Sequence, residues 1–354
     1  MNAFGIVMRP EGFSEHSGLW PAVHTTGIVP VEFGDRWRRW QQKSWTAGEW
    51  LRAWGNRWYG SAWNSLTPGV DERSILKALP HGEPHIVHWL WGEFAAPKRA
   101  DVYRRRGGKV VVSVHCSARR WDRVWLRPDG YAQADMVVLT SESQRPFVER
   151  DVSPECVRRI VLGVDCAFFT PGQRRGRGKN RLRLLLLGNT ERDHAFSAAV
   201  ARCLPPERFE WRVRTLSHEK SLYAGIPCVT MLPRLSDPEL LDEYRQADLL
   251  CMPMLDSAAN DVFLESMACG TPVMTNRVGG VPEYVADACN TVMPAAASID
   301  DWVDRLFDFE RERNKLESMR GATRTWAEQY DWRIVAEAYR AMYRELLGTH
   351  APDT

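Results

Sequence analysis

The sequence lacks several features that would narrow its function at once. No apolar run approaches the ~18 residues needed to span a bilayer. Met1–Pro10 has neither the charged start nor the apolar stretch of a signal peptide. Charge of one sign is missing too: 47 Lys and Arg face 45 Asp and Glu, a formal net charge of +2. That balance gives no electrostatic argument for a nucleic-acid partner. The eight cysteines (Cys116, Cys156, Cys166, Cys203, Cys228, Cys251, Cys269 and Cys289) include no C-x-x-C pair and no zinc-like spacing. Those in runs such as Leu250-Cys251-Met252 and Ala268-Cys269-Gly270 read as free buried thiols of a reducing compartment. There is no internal repeat, no long low-complexity tract and no D-x-D metal motif with supporting context. The expectation is a cytoplasmic globular protein that uses no metal or organic cofactor and binds no nucleic acid. Peripheral contact with the inner face of a membrane stays open.

What is present is an ordinary globular composition, 44 % hydrophobic and 26 % charged over 354 residues. At ~150 residues per domain this length predicts two domains. Short apolar runs recur at Phe4–Met8, Ile28–Phe33, His85–Leu90, Val110–Val114 and Met136–Thr140, with Ile160–Leu162 a further candidate. The second half repeats the pattern at Leu182–Leu187, Phe209–Val213, Cys228–Met231, Leu249–Met252 and Val273–Thr275. Segments of helical period lie between them, such as Pro238–Gln246 and Val262–Cys269. Strands alternating with helices predict parallel sheets covered on both faces, an α/β class. The basic, glycine-rich stretch 173–180 reads as an exposed linker. Two doubly wound domains, about 1–170 and 171–330, follow from that division, with ligands expected at carboxyl strand ends and in a cleft. Trp302–Leu347 is helical by pattern, with Asp331 placed to cap its last helix.

The chemistry concentrates in Asn260–Val285. Asn260 or Asp261 suits the cap of a helix that stops at Gly270. The amides of Asp261 and Val262 at such a helix start can face a diphosphate. Glu265, about one turn in, can accept hydrogen bonds from ribose hydroxyls and sits near the positive end of the helix dipole. Gly279-Gly280 permits a backbone close to a ligand. The bland readings are a solvated surface glutamate and a plain glycine turn.

Leu264-Glu265-Ser266-Met267-Ala268-Cys269-Gly270-Thr271-Pro272-Val273, followed by Val278-Gly279-Gly280-Val281-Pro282-Glu283, closely resembles glycosyltransferase family 4. Ala134–Ser141, Val161-Leu162-Gly163-Val164-Asp165 with Phe168-Phe169-Thr170-Pro171, Leu240–Met254 and the final helix from Trp332 resemble other family elements in the expected order. The resemblance implies the GT-B fold: two Rossmann-like domains facing a central cleft, with a closing helix, 331–354, that returns to the first domain. It implies retaining transfer from a UDP-, GDP- or ADP-sugar, used as co-substrate, to a carbohydrate, lipid-linked or small-molecule acceptor. By the same resemblance Glu265 binds the donor ribose and the amides near Asp261 and Val262 approach the phosphates or donor sugar. The Leu232-Pro233-Arg234 loop lies near the base.

Three positions depart from the family pattern. Ser257 stands where the first of two spaced glutamates is expected. Asn189 stands where an arginine of the phosphate clamp is expected, with Arg192 the nearest permanent cation. Arg192 reads either as part of that clamp or as a loop surface charge. Near the N-terminus the glycine-rich loop is reduced to Gly12 and Gly18. His115 follows the strand Val110–Val114 directly. Its place past the carboxyl end of a parallel strand points it into the cleft, and the resemblance implies a catalytic residue positioning the donor sugar; the other reading is a hydrogen-bonded structural histidine. His85 and His88, inside an earlier strand, read as structural.

Seven tryptophans lie between Trp37 and Trp63, with Trp50, Trp54 and Trp58 on one helical stripe. Core packing, an acceptor surface and binding to anionic lipid all fit them. The expected function is a retaining glycosyltransferase. A catalytically silent homologue acting as a binding or scaffold partner, and a sugar phosphorylase, are the alternatives.

Overall fold

The computed structural model describes residues 2–7, 14–32, 72–93, 96–97, 99–124, 129–174, 181–216 and 218–349. Gly12 and the Trp37–Trp63 cluster lie outside the described residues. The chain forms two compact units. The first comprises Met1–Phe13, Leu19–Val161 and Arg333–Thr354, and the second Ser14–Gly18 and Leu162–Trp332.

In the first unit, β1 (Ala3–Val7), β2 (Val29–Glu32), β3 (His85–Trp89), β4 (Gly108–Val114), β5 (Met136–Leu139) and β6 (Val157–Arg159) form one sheet. Their order is β2-β1-β3-β4-β5-β6, and every pairing is parallel. All of β3 is buried, which is why its sequence does not alternate. His88 is accommodated there because both ring nitrogens are bonded, Nδ1 to the Tyr343 hydroxyl at 2.6 Å and Nε2 to Ser113 Oγ at 2.7 Å. Burial, helped by His115, pushes its pKa down to about 3. His88 is therefore a neutral core residue. The helix Trp332–Leu347 contributes Val335, Ala336, Tyr339, Met342 and Tyr343 to the buried interior. Arg340 donates to the Thr25 carbonyl at 2.6 Å, and Arg158 pairs with Glu345 at 2.6 Å, both within this unit.

In the second unit, β7 (Leu182–Leu187), β8 (Phe209–Arg214), β9 (Val229–Met231), β10 (Leu249–Cys251), β11 (Val273–Asn276) and β12 (Thr291–Met293) pair in parallel. The order β12-β11-β10-β7-β8-β9 places the chain's reversal of direction between β7 and β10. In an open parallel sheet that switch point leaves a crevice beyond the carboxyl strand ends.

One sequence expectation is corrected. Ile160–Leu162 is not a strand; β6 lies just before it, where Val137–Leu139 pair with Val157–Arg159. The carboxyl-terminal helical pattern is three helices, Ile299–Arg311, Arg313–Glu328 and Trp332–Leu347. The short strand β12 escaped the pattern because only Val292 and Met293 of its three residues are apolar. Among the described residues no helix is long and apolar enough to cross a membrane.

Candidate functional site

The loops after β7 and β10 meet at the switch point of the second unit. The Asp193 amide donates to the Pro253 carbonyl at 2.9 Å, and the Leu255 amide to Glu191 at 2.8 Å. Arg192 and Met254 form an antiparallel bridge. The Arg192 guanidinium is half-buried and donates to Leu187 O at 3.1 Å, Thr190 O at 2.6 Å and Asn260 Oδ1 at 3.2 Å. Burial lowers its pKa to about 10, which leaves it charged at neutral pH. Arg192 is thus a strut between two loops, not a loop surface charge. Gly188, at φ +88°, clears the way: a Cβ there would sit 3.0 Å from the guanidinium. Asn189, half-buried, occupies the same loop and accepts the Arg192 amide through its carbonyl at 3.4 Å.

The helix Asp261–Ala268 starts as its sequence indicates. Asn260 caps it, with Oδ1 accepting the Val262 amide at 3.1 Å. That amide is therefore already bonded within the protein. Phe263, Leu264, Met267 and Ala268 are buried. The helix ends at Gly270, φ +72°, with the Thr271 amide donating back to Ser266 O at 2.9 Å.

Glu265 lies one turn into this helix and is only 3 % exposed. It is not a solvated surface glutamate. Its Oε2 accepts the Tyr244 hydroxyl at 2.6 Å, and its Oε1 accepts the Ser17 hydroxyl. Desolvation first, then the nearby Asp261 carboxylate, pushes its pKa up to about 7. The two hydroxyl donors oppose that rise without cancelling it. Ser17 belongs to the short segment Ser14–Gly18, where Ser14 Oγ also bonds Asp237 at 2.8 Å and His16 Nδ1 pairs with Asp165 at 2.8 Å. The His16 ring stacks on Phe168 with centroids 3.8 Å apart.

Ser257 is buried in the turn before the helix. Its amide donates to Asp256 Oδ1 at 2.8 Å and its carbonyl accepts the Gly280 amide at 2.6 Å. Gly279, φ +47°, packs on this turn so closely that a Cβ would lie 2.2 Å from Asp256 Oδ1 and 2.3 Å from Ser257 O. The close approach that Gly279 permits is to the protein's own backbone. Arg234 is exposed in the loop between β9 and the helix Asp237–Gln246.

In the first unit, His115 follows β4 and its Nε2–H donates to the Leu90 carbonyl at 2.9 Å. Its backbone amide and that of Cys116 both donate to Glu93 Oε1. Sequence reasoning missed Glu93 and Ser17. Nothing in a Gly-Glu or Ser-Gly dipeptide reports a contact made 22 or 248 residues away. Tyr244 carried a usable signal: it is the single aromatic of the helix Asp237–Gln246, and it is buried.

Residues 214–326 match the family model described as "Glycosyl transferases group 1". The chain is similar to D-inositol 3-phosphate glycosyltransferases. The protein from Saccharomonospora viridis is 30 % identical over 246 residues, 61 % of this chain and 57 % of the relative. That from Mycolicibacterium smegmatis is 33 % identical over 244 residues, 62 % of this chain and 54 % of the relative. The chain thus spans about half the length of these curated relatives. Its fold is that of the solved Anabaena HepE in complex with UDP and glucose, with a TM-score of 0.71, 14 % identity, and coverage of 98 % of this chain and 100 % of that one. A trehalose-phosphate synthase (UDP-forming) from Burkholderia vietnamiensis gives a TM-score of 0.69 at 12 % identity, covering 98 % and 100 %. Two α/β units of this kind constitute the GT-B architecture.

Proposed function

We propose that this chain, whose residues 214–326 carry the group 1 glycosyltransferase signature, moves a sugar from a nucleotide-sugar donor to a hydroxyl acceptor. The observation that carries the reading is Glu265. A buried carboxylate, raised toward neutrality by desolvation, already accepts two hydroxyl groups at the switch-point crevice. A ribose presents the same chemistry, two adjacent hydroxyl donors. Glu265 then binds the donor ribose. Arg192 supplies a fixed positive charge beside the helix start, where the diphosphate of a leaving nucleotide gains charge. Asp261 and Val262 open the helix that carries Glu265, Asn189 lies in the Arg192 loop, and in this reading they and Arg234 complete the donor site.

The retaining course breaks the bond from the anomeric carbon to the phosphate oxygen. It forms a bond from the acceptor oxygen on the same face, and the acceptor proton passes to the departing phosphate. His115 positions the donor sugar in this reading. The nucleotide-sugar is a co-substrate, and neither a metal nor an organic cofactor takes part. UDP-glucose is the first donor to try, because a solved protein of this fold binds UDP and glucose.

Calorimetric titration of UDP, GDP and ADP tests the assignment. For the preferred nucleotide, Glu265→Ala is expected to weaken binding by roughly tenfold to a hundredfold, the loss of hydrogen bonds to a charged group. Unchanged affinity removes Glu265 from the site. A second reading, nucleotide binding without transfer, is favoured by Ser257, a non-ionisable residue locked into the Gly279 turn. Tight nucleotide binding with no turnover on any acceptor would select it.

A further inference from the structure

Glu265 carries the nucleotide reading, yet both of its oxygens are already engaged. Oε2 accepts the Tyr244 hydroxyl at 2.6 Å and Oε1 accepts the Ser17 hydroxyl. The two donors differ in kind. Tyr244 is fully buried and belongs to the helix Asp237–Gln246. Burial, then the Glu265 carboxylate itself, raises its pKa well above the ordinary value, so it stays a donor. Ser17 is half-buried and belongs to no helix or strand. Tyr244 is thus the inner partner of the carboxylate and Ser17 the outer one. A ligand arriving from solvent meets the serine first.

Ser14–Gly18 is a strap of five residues in the second unit, although the chain on either side of it belongs to the first. Two of its ties are polar and partly open to water. Ser14 Oγ donates to Asp237 at 2.8 Å, and His16 Nδ1 meets Asp165 at 2.8 Å with the His16 side chain 39 % exposed. Gly18, next to Ser17, has φ +65°, a conformation that glycine enters and leaves at little steric cost. The serine therefore sits beside a pivot, whereas Tyr244 is fixed in a helix.

We propose that Ser17 is an internal occupant of the ribose position, and that an entering nucleotide displaces the Ser14–Gly18 strap from Glu265. This rests on the ribose reading of Glu265 given above. An ionised carboxylate only accepts hydrogen bonds, and a buried one left without donors is costly. In the empty site Ser17 supplies the donor. In the loaded site a ribose hydroxyl supplies it, and the half-buried serine turns to water. The exchange keeps the carboxylate satisfied throughout. With Glu265 only 3 % exposed, a ribose cannot simply add to the existing bonds. The strap is then an autoinhibitory contact: apparent affinity falls by the fraction of molecules in which the strap is off. Tyr244 stays bonded and holds the carboxylate in one orientation during the exchange.

The sign of one substitution tests this. UDP, GDP and ADP are titrated calorimetrically into the full chain and into Ser17→Ala, well above pH 7, where Glu265 is ionised. Ser17→Ala is expected to tighten UDP binding roughly tenfold, the worth of one hydrogen bond to a charged group. For a UDP analogue lacking both ribose hydroxyls, which has nothing to exchange with Ser17, the same substitution is expected to leave affinity unchanged. A crystal grown without nucleotide is expected to show Ser17 on Glu265. One grown with UDP is expected to show ribose oxygens there and Ser17 moved away. Weaker or unchanged UDP binding by Ser17→Ala, equal gains for UDP and the analogue, or Ser17 still bonded to Glu265 beside a bound ribose overturns the proposal and leaves the nucleotide reading intact. No binding of any of the three nucleotides by either protein overturns both.

Discussion

Glu265 carries a charge that its surroundings oppose. Burial and Asp261 raise its pKa to about 7, well above the ordinary value for glutamate. The protonated carboxyl is a poorer partner for two ribose hydroxyls than the carboxylate. UDP affinity is therefore expected to rise with pH, by up to about tenfold per unit below the pKa, and to level off above it. The stability contribution has the opposite sign. A carboxyl with a raised folded-state pKa binds its proton more tightly in the native chain. Its contribution is fully present below the unfolded value and is lost as pH rises through about 7. Glu265→Gln should flatten both profiles, measured by calorimetric titration and by thermal melting. Ser17 and Tyr244 modulate this behaviour because their hydroxyls favour the charged form. Nothing in the sequence joined Ser17 to Glu265, since that contact exists only once the chain has folded back over 248 positions.

The helix Asp261–Ala268 and the turn before it act as one element. Asn260 Oδ1 serves two donors, the Val262 amide and the Arg192 guanidinium. Asn260→Ala should cost about 1–2 kcal/mol in urea unfolding, within the range of a lost cap, and should weaken nucleotide binding by releasing Arg192. The cap was legible because asparagine before an apolar helix has a local mechanism. The role of Gly279 was not. A Gly-Gly pair announces backbone freedom but not what comes close, and here it is the Asp256-Ser257 turn. Gly279→Ala combines φ +47° with a Cβ 2.2 Å from a carboxylate oxygen, and is expected to destabilise by more than about 1 kcal/mol. A shifted urea midpoint with unchanged slope checks this.

Across the whole molecule, the chain divides into two units, each with its own six-stranded parallel sheet and buried core. The proposed nucleotide ligands all belong to the second unit. Scanning calorimetry is expected to resolve two transitions, of which UDP moves one. At a hundredfold excess over Kd the stabilisation is about 2.7 kcal/mol. A single transition, or equal shifts in both, would refute the assignment of nucleotide binding to one independently melting unit. The first unit is discontinuous: residues from Arg333 onward pack with a sheet whose first strand begins at Ala3.

Much of this architecture was readable in advance. Strands buried on both faces must be runs of apolar residues, so Leu182–Leu187 and Val110–Val114 declared themselves without alignment to anything else. The cap at Asn260, the stop at Gly270 and the candidate carboxylate Glu265 followed from rules that act within a few residues. The sequence by itself therefore determined most of the strands, the fold class and the residue to examine first. Tertiary structure alone decided what those residues touch. It put Ser17 and Tyr244 on Glu265, turned Arg192 into a strut, and left Glu93 holding two amides with one oxygen bare. The physical reason is range. Backbone propensity and hydrophobic period act over a turn or a strand, whereas burial and hydrogen-bond partnership belong to groups that meet only after the sheets have formed.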